Sequence, residues 1–322
     1  MILILGAVLQ NCVPEAPHSN PLDPYRAGNG TGNSLTISGV VLQKQAPFFP
    51  VAGCKVILSP ESIVDTTRVD GSFLFRTAIG GQHHLYLEHP DFQKDSLVFN
   101  ADSLSTAALQ IHLNGLPTIK NPKLTSYFVD QWWPAPVTLL EVEGELSDPD
   151  GTNDIVKWTL EIPDFGFQKE FPLTNPNAGI QFTIPTDSIQ PFPQQIIGHP
   201  LFLQVADKEN ATTRSDPLFV SRIIEASPDS LAPTGLELAE NPPVFRWGAY
   251  RAEYPFHYNL AIYVVTAGIS SLVHEKNEIA ADSARYQLSN NLPAGQYYWT
   301  LTVEDEFGNR ARSKEAAFIV QN

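Results

Sequence analysis

The chain has 322 residues, a formal charge of −15 and only two cysteines. That length supports two or three domains, each able to bury its own core. The acidic balance excludes electrostatic binding to nucleic acid or to an anionic lipid surface, both of which need clustered Lys and Arg. One methionine, 27 prolines and many β-branched and aromatic residues describe an all-β chain with frequent turns.

In chain order, the first feature is the apolar run from Met1 to Leu9, followed closely by Cys12. At about eight residues the run is far shorter than the roughly 20 that cross a bilayer as a helix. A short apolar run ending in cysteine resembles a bacterial lipoprotein signal. Leu9 stands at the aliphatic position three before Cys12, while Gln10 and Asn11 replace the small residues usual beside the cysteine. The resemblance implies that residues 1–12 are a signal-like segment and that Cys12 carries the lipid. It further implies a place in the bacterial cell envelope, at the outer membrane, with contact to the membrane through the lipid anchor only. The other reading is an apolar terminus or a first strand. Residues 13–33 contain Pro14, Pro17, Pro21 and Pro24, then Gly28, Gly30 and Gly32, with no apolar period. This is the pattern of a flexible tether, about 25 Å from end to end.

Three tandem β-sandwich domains are expected beyond the tether. In 34–115, Leu35, Ile37, Gly39 and Val41 alternate, Val56 and Leu58 follow, and Asp70-Gly71 turns the chain into Phe73 and Phe75. The order of Gly39, Gly53, Asp70, Gly71, Phe73, His89, Pro90 and Phe92 resembles a carboxypeptidase regulatory-like domain, a small transthyretin-like sandwich. The resemblance implies a fold and an accessory role, not a reaction. In 116–225, Leu140, Val142, Gly144 and Leu146 alternate, then Trp158, Leu160 and Ile162, then Leu203 and Val205. This resembles an immunoglobulin-like sandwich. In 226–322, Tyr297, Trp299, Leu301 and Val303 give the cleanest alternation, and with Trp247 as an early core tryptophan the segment resembles a fibronectin type III domain. An internal repeat links the last two domains: residues 205–215 align without a gap on 303–313, so that Asp207, Arg214 and Ser215 recur as Asp305, Arg312 and Ser313. Both domains are expected to close on the same hairpin.

Candidate chemistry is sparse. The loop from Ser147 to Ile155 places Asp148, Asp150, Asn153 and Asp154 within seven residues, and oxygen-rich loops of this kind hold Ca²⁺. The same residues also suit a tight turn chosen for backbone geometry. His83 and His84 point to opposite faces of a strand, and His89 shares no simple alternation with His84, which argues against zinc. Cys54 sits in an apolar strand and reads as a buried free thiol. Glu141, Glu143 and Glu145 share one strand face by period two and read as a solvated face. Trp132-Trp133 precede Pro134 outside any alternating core; they either bury a domain junction or form a ligand platform on which sugar rings stack. No catalytic residue is identified, since GxSxG, HExxH and phosphate-binding glycine loops are all missing from the sequence. No cofactor is expected beyond the calcium considered above. These features point to a non-catalytic envelope lipoprotein that acts as spacer and binding scaffold, with an envelope protein or a glycan as partner. The alternatives are a hydrolase that uses carboxylates, or an accessory subunit of a nearby enzyme or transporter.

Overall fold

A computed structural model describes residues 35–77, 81–100, 109–173, 175, 177, 179–189 and 193–321. The signal-like segment with Cys12 and the tether 13–33 lie outside the described residues. No helix among the described residues is long and apolar enough to cross a membrane. They are built from β-strands, turns and short 3-10 segments, so the class is all-β. They divide into two compact units, one up to residue 113 and the other from 114 onward, with 43–47 and 91–93 grouped with the latter.

In the first unit, β1 (Leu35–Gln43), β2 (Lys55–Ser59), β3 (Ile63–Thr66), β4 (Ser72–Thr77), β5 (Gln82–His89), β6 (Phe92–Asn100) and β7 (Leu109–Leu113) form two sheets, ordered β4-β1-β7 and β3-β2-β5-β6. Alternation selects the core: Ile37 and Val41, Val56 and Leu58, Phe73 and Phe75, and Leu85 and Leu87 are all buried. The turn at Asp70-Gly71 needs glycine twice over. Gly71 has φ +74°, and a Cβ there would stand 2.4 Å from the Val41 carbonyl oxygen. Cys54 is buried as a free thiol. His83 is buried, with Nδ1 3.3 Å from the Glu61 carboxylate, while His84 lies half-buried beside Tyr86; the two rings take opposite faces, as their spacing requires.

The second unit holds β8 (Thr118–Val129), β9 (Val137–Ser147), β10 (Ile155–Ile162), β11 (Phe167–Pro172), β12 (Ile180–Pro185), β13 (Phe202–Asp207) and β14 (Thr212–Arg214). It continues with β15 (Glu237–Leu238), β16 (Val244–Arg246), β17 (Phe256–Thr266), β18 (Ile269–Ala280), β19 (Arg285–Gln287), β20 (Gly295–Asp305), β21 (Arg310–Arg312) and β22 (Ala316–Val320). Two hydrophobic cores form. One packs Leu140, Val142, Trp158, Leu160, Phe171 and Leu203; the other packs Phe245, Trp247, Tyr258, Trp299, Leu301 and Phe318. Trp247 follows β16, is buried, and satisfies its indole N–H on the Ser283 carbonyl at 2.9 Å.

The repeated segments close these cores with the same hairpin. In one copy Val205 pairs with Thr213, and in the other Val303 pairs with Ala311. Ser215 Oγ accepts the Leu203 N–H at 3.0 Å, and Ser313 Oγ accepts the Leu301 N–H at 2.9 Å. Asp207 Oδ1 accepts the Ala211 N–H at 2.8 Å, and Asp305 Oδ1 accepts the Asn309 N–H at 2.9 Å.

The two copies differ in what lies beside them. β14 ends the four-stranded sheet β11-β10-β13-β14. The outer edge of β21 is instead taken by β8, in parallel, with Arg310 opposite Tyr127, Ala311 opposite Phe128 and Arg312 opposite Val129. One nine-stranded sheet, whose main path runs β12-β9-β8-β21-β20-β17-β18, therefore passes through both segments that the sequence reads as tandem domains. Asn309 seals the seam: its Oδ1 accepts the Ser126 N–H at 3.0 Å and its Nδ2 donates to Ser221 Oγ at 2.9 Å. Arg310 pairs across the same seam with Glu141 and lies over the Tyr127 ring at 4.5 Å. The solvated-face reading thus holds for Glu143 and Glu145, which are exposed, and fails for Glu141, because the neighbouring strand brings an arginine to it.

Candidate functional site

Two places in the second unit gather polar chemistry. The first is a cleft of about 440 Å³ lined by Asp130, Trp132, Asp229, Leu231, Lys314 and Glu315, among others, a size within the range of small-ligand sites. Trp132 and Trp133 lie just past β8, after Asp130 and Gln131, where the chain leaves the sheet. Trp132 is 70% exposed and Trp133 88% exposed. Neither indole is packed into a core of the second unit.

Trp132 is nonetheless held in place. Its indole N–H donates to the Glu315 carbonyl at 2.9 Å, and the Lys314 ammonium stands 4.5 Å from the ring centroid, a cation–π contact. Lys314 also lies 3.9 Å from Asp130, whose other carboxylate oxygen accepts the Ser227 hydroxyl at 2.8 Å. The β20–β22 segment and the end of β8 thus fix a rigid aromatic wall edged by carboxylates and hydroxyls.

The second place is a cluster of three buried aspartates at one end of the sandwich that ends with β14. Asp148 directly follows β9, Asp154 ends the short 3-10 turn before β10, and Asp207 ends β13. Each offers a carboxylate oxygen, and these all lie within 4.8 Å of one another. Burial, with the nearby aspartates adding to it, pushes the Asp148 carboxyl up to about 6, against a hydrogen bond from the Asp150 N–H that pulls it down. Asp154 is raised for the same leading reason, with Asp207 next and Lys208 opposing. Gly115 makes room here, since a Cβ would sit 2.7 Å from Asp148 Oδ1.

Of the four residues of the acidic loop, the structure brings Asp148 and Asp154 into this cluster and turns the other two elsewhere. The Asp150 carboxylate accepts the Gly115 N–H, and Asn153 is exposed, with its Oδ1 accepting from Asn177 at 3.4 Å. Asp207, 53 positions beyond Asp154 in the sequence, takes their place. The sequence signal for it was the repeat that matched Asp207 to Asp305.

Set against known proteins, the chain matches no family and no curated protein. Among solved structures it is similar to the FN1–FN3 domains of chicken CNTN1, at 8% identity and a TM-score of 0.35 over 90% of this chain and 96% of that one. It is similar to the fibronectin(III)-like modules of Clostridium thermocellum CbhA, at 12% identity and a TM-score of 0.30 over 64% and 93%. A third likeness is to the Bacillus anthracis TIE protein, at 11% identity and a TM-score of 0.27 over 90% and 48%. The all-β class rests on the strands described above.

Proposed function

We propose that the chain is a non-catalytic cell-envelope lipoprotein, anchored through Cys12, whose sandwiches act as a spacer and carry a glycan-binding cleft at Trp132 and Trp133. In this reading the first unit is a carboxypeptidase regulatory-like module with no reaction of its own, and the last segment is a fibronectin type III module. The observation that carries the binding role is a 440 Å³ cleft lined by the exposed indole of Trp132 and edged by Asp130, Asp229 and Glu315, with the exposed Trp133 next in sequence. An indole face takes the C–H side of a sugar ring, and carboxylates accept its hydroxyls. Asp148 and Asp154, the described aspartates raised by burial, do not line this cleft, which favours binding over hydrolysis there.

The test is retention on an array of envelope glycans by the full chain and by Trp132→Ala, which removes the indole that lines the cleft. At 70% exposure Trp132 can be removed with a small effect on folding, checked by the melting temperature of the variant. Loss of one stacking contact is expected to weaken binding about tenfold. A wild-type protein that retains no glycan, or a variant that binds as the wild type does, would set the reading aside.

A further inference from the structure

We propose that the carboxylates of Asp148, Asp154 and Asp207 form a Ca²⁺ site, with the side-chain amide oxygen of Asn114 as a further ligand. The cluster alone would not establish this, because acidic groups gather for many reasons. Three other observations point to a cation.

The first is the state of the oxygens. Asp148 Oδ2 and both Asp154 carboxylate oxygens are buried without a hydrogen-bond partner. Buried polar atoms without partners are rare because each forfeits its hydration for nothing. Lys208 offers limited compensation: its Nζ is 3.7 Å from Asp154 Oδ1, on a side chain 57% exposed.

The second is Asn114. It is 6% exposed, its Nδ2 donates to Asp207 Oδ2 at 2.6 Å, and its Oδ1 is buried with no partner. Its Nδ2 also donates to the Gly115 carbonyl at 3.1 Å; a half-turn of the amide gives up that bond and turns the oxygen toward Asp207, where a cation held by the carboxylates could take it.

The third is the internal repeat, which supplies a control within one molecule. Asp305, the counterpart of Asp207, is as deeply buried and is neutralised by the Arg222 guanidinium. On the equivalent oxygen of Asp207 the first copy has the uncharged Asn114 amide, and two further carboxylates stand close by. Among the described residues the cation beside these three acids is the half-exposed Lys208, at 3.7 Å from Asp154 Oδ1.

The donors are all hard oxygens, which suit Ca²⁺ or Mg²⁺ and not zinc. Several protein oxygens converging on one buried point favour Ca²⁺, because Mg²⁺ gives up its waters reluctantly and is seldom held by an all-protein cage. By tying β9, β10 and β13 together at one end of the sandwich, the ion would stabilise the folded chain.

The experiment is calorimetric titration of the EGTA-stripped full chain with CaCl₂ or MgCl₂, together with thermal melts. The expected result is one Ca²⁺ per chain and a melting temperature raised by about 5 to 10 °C when Ca²⁺ is a hundredfold above its Kd. Mg²⁺ is expected to bind more weakly. Asp154→Asn and Asp207→Asn should lose the binding, while Asn153→Ala should keep it. Should either aspartate variant fail to fold, the wild-type titration and the other variant decide. No heat and no shift at millimolar Ca²⁺ would overturn the proposal. So would wild-type binding by either folded aspartate variant, loss of binding in Asn153→Ala, or equal affinity for Mg²⁺.

Discussion

A buried charge is decided by its few nearest neighbours, and Asp207 and Asp305 show how far two equivalent residues can diverge. Both end a core strand, both are buried, and both accept the same backbone N–H across the hairpin. One meets an arginine and the other meets two more acids. Sequence reasoning reached the local half of each environment, because a hairpin lies within about ten residues. It did not reach Arg222 or Asn114, which approach from elsewhere in the chain. Cys54 was legible for the opposite reason: its apolar strand neighbours already mark it as inward-facing. Burial pushes its thiol up to about 11, so the thiolate fraction at pH 8 is roughly two hundred times smaller than for a free cysteine. Native protein should therefore react with iodoacetamide at least tenfold more slowly than urea-unfolded protein, since burial slows access and the lost ionisation outweighs the greater nucleophilicity of a high-pKa thiolate, followed by mass spectrometry of the Cys54 peptide. Equal rates would show the thiol to be accessible and ionised.

At the scale of elements, alternation identified strands on both sides of residue 225 and missed the join between them. The parallel pairing of β8 with β21 brings together residues more than 180 positions apart in the chain, and no periodicity encodes a partner. What the chain does show is an edge that needs cover, and the side chain of Asn309 supplies the pins. Removing it leaves the Ser126 N–H buried without an acceptor and takes two donors from Ser221 and Asp305. Asn309→Ala should therefore lower stability by about 3 kcal/mol in urea unfolding. Hydrogen exchange should quicken at Tyr127–Val129 and Arg310–Arg312 before the interior of β20 is affected. A loss spread evenly over the sheet would mean that Asn309 supports the whole core and not the seam. The acidic loop teaches the same lesson at shorter range. Four oxygen-bearing residues were visible in one stretch, yet only those at the strand ends converge, because Asp150 spends its carboxylate on the Gly115 N–H beside the cluster and Asn153 turns outward to Asn177.

For the molecule as a whole, anchor, spacer and cleft make separate demands that separate experiments address. If Cys12 is the lipidated residue, bacteria expressing the full-length protein from its native gene and grown with a palmitate analogue should label it, and Cys12→Ser should abolish the label and release the chain from membranes; an unlabelled wild-type protein would remove the anchor from the account. That expectation came from order along the chain, as did the all-β class, the alternating core positions and the repeated hairpin. Each of these depends on residues close in sequence, where period, turn chemistry and composition are sufficient. The tertiary structure alone decided that Trp132 lines a cleft, that one sheet runs through two segments, and that Asp207, with Asn114 bonded to it, meets Asp148 and Asp154. These depend on which distant strands become neighbours, and that choice is made by packing over the whole chain.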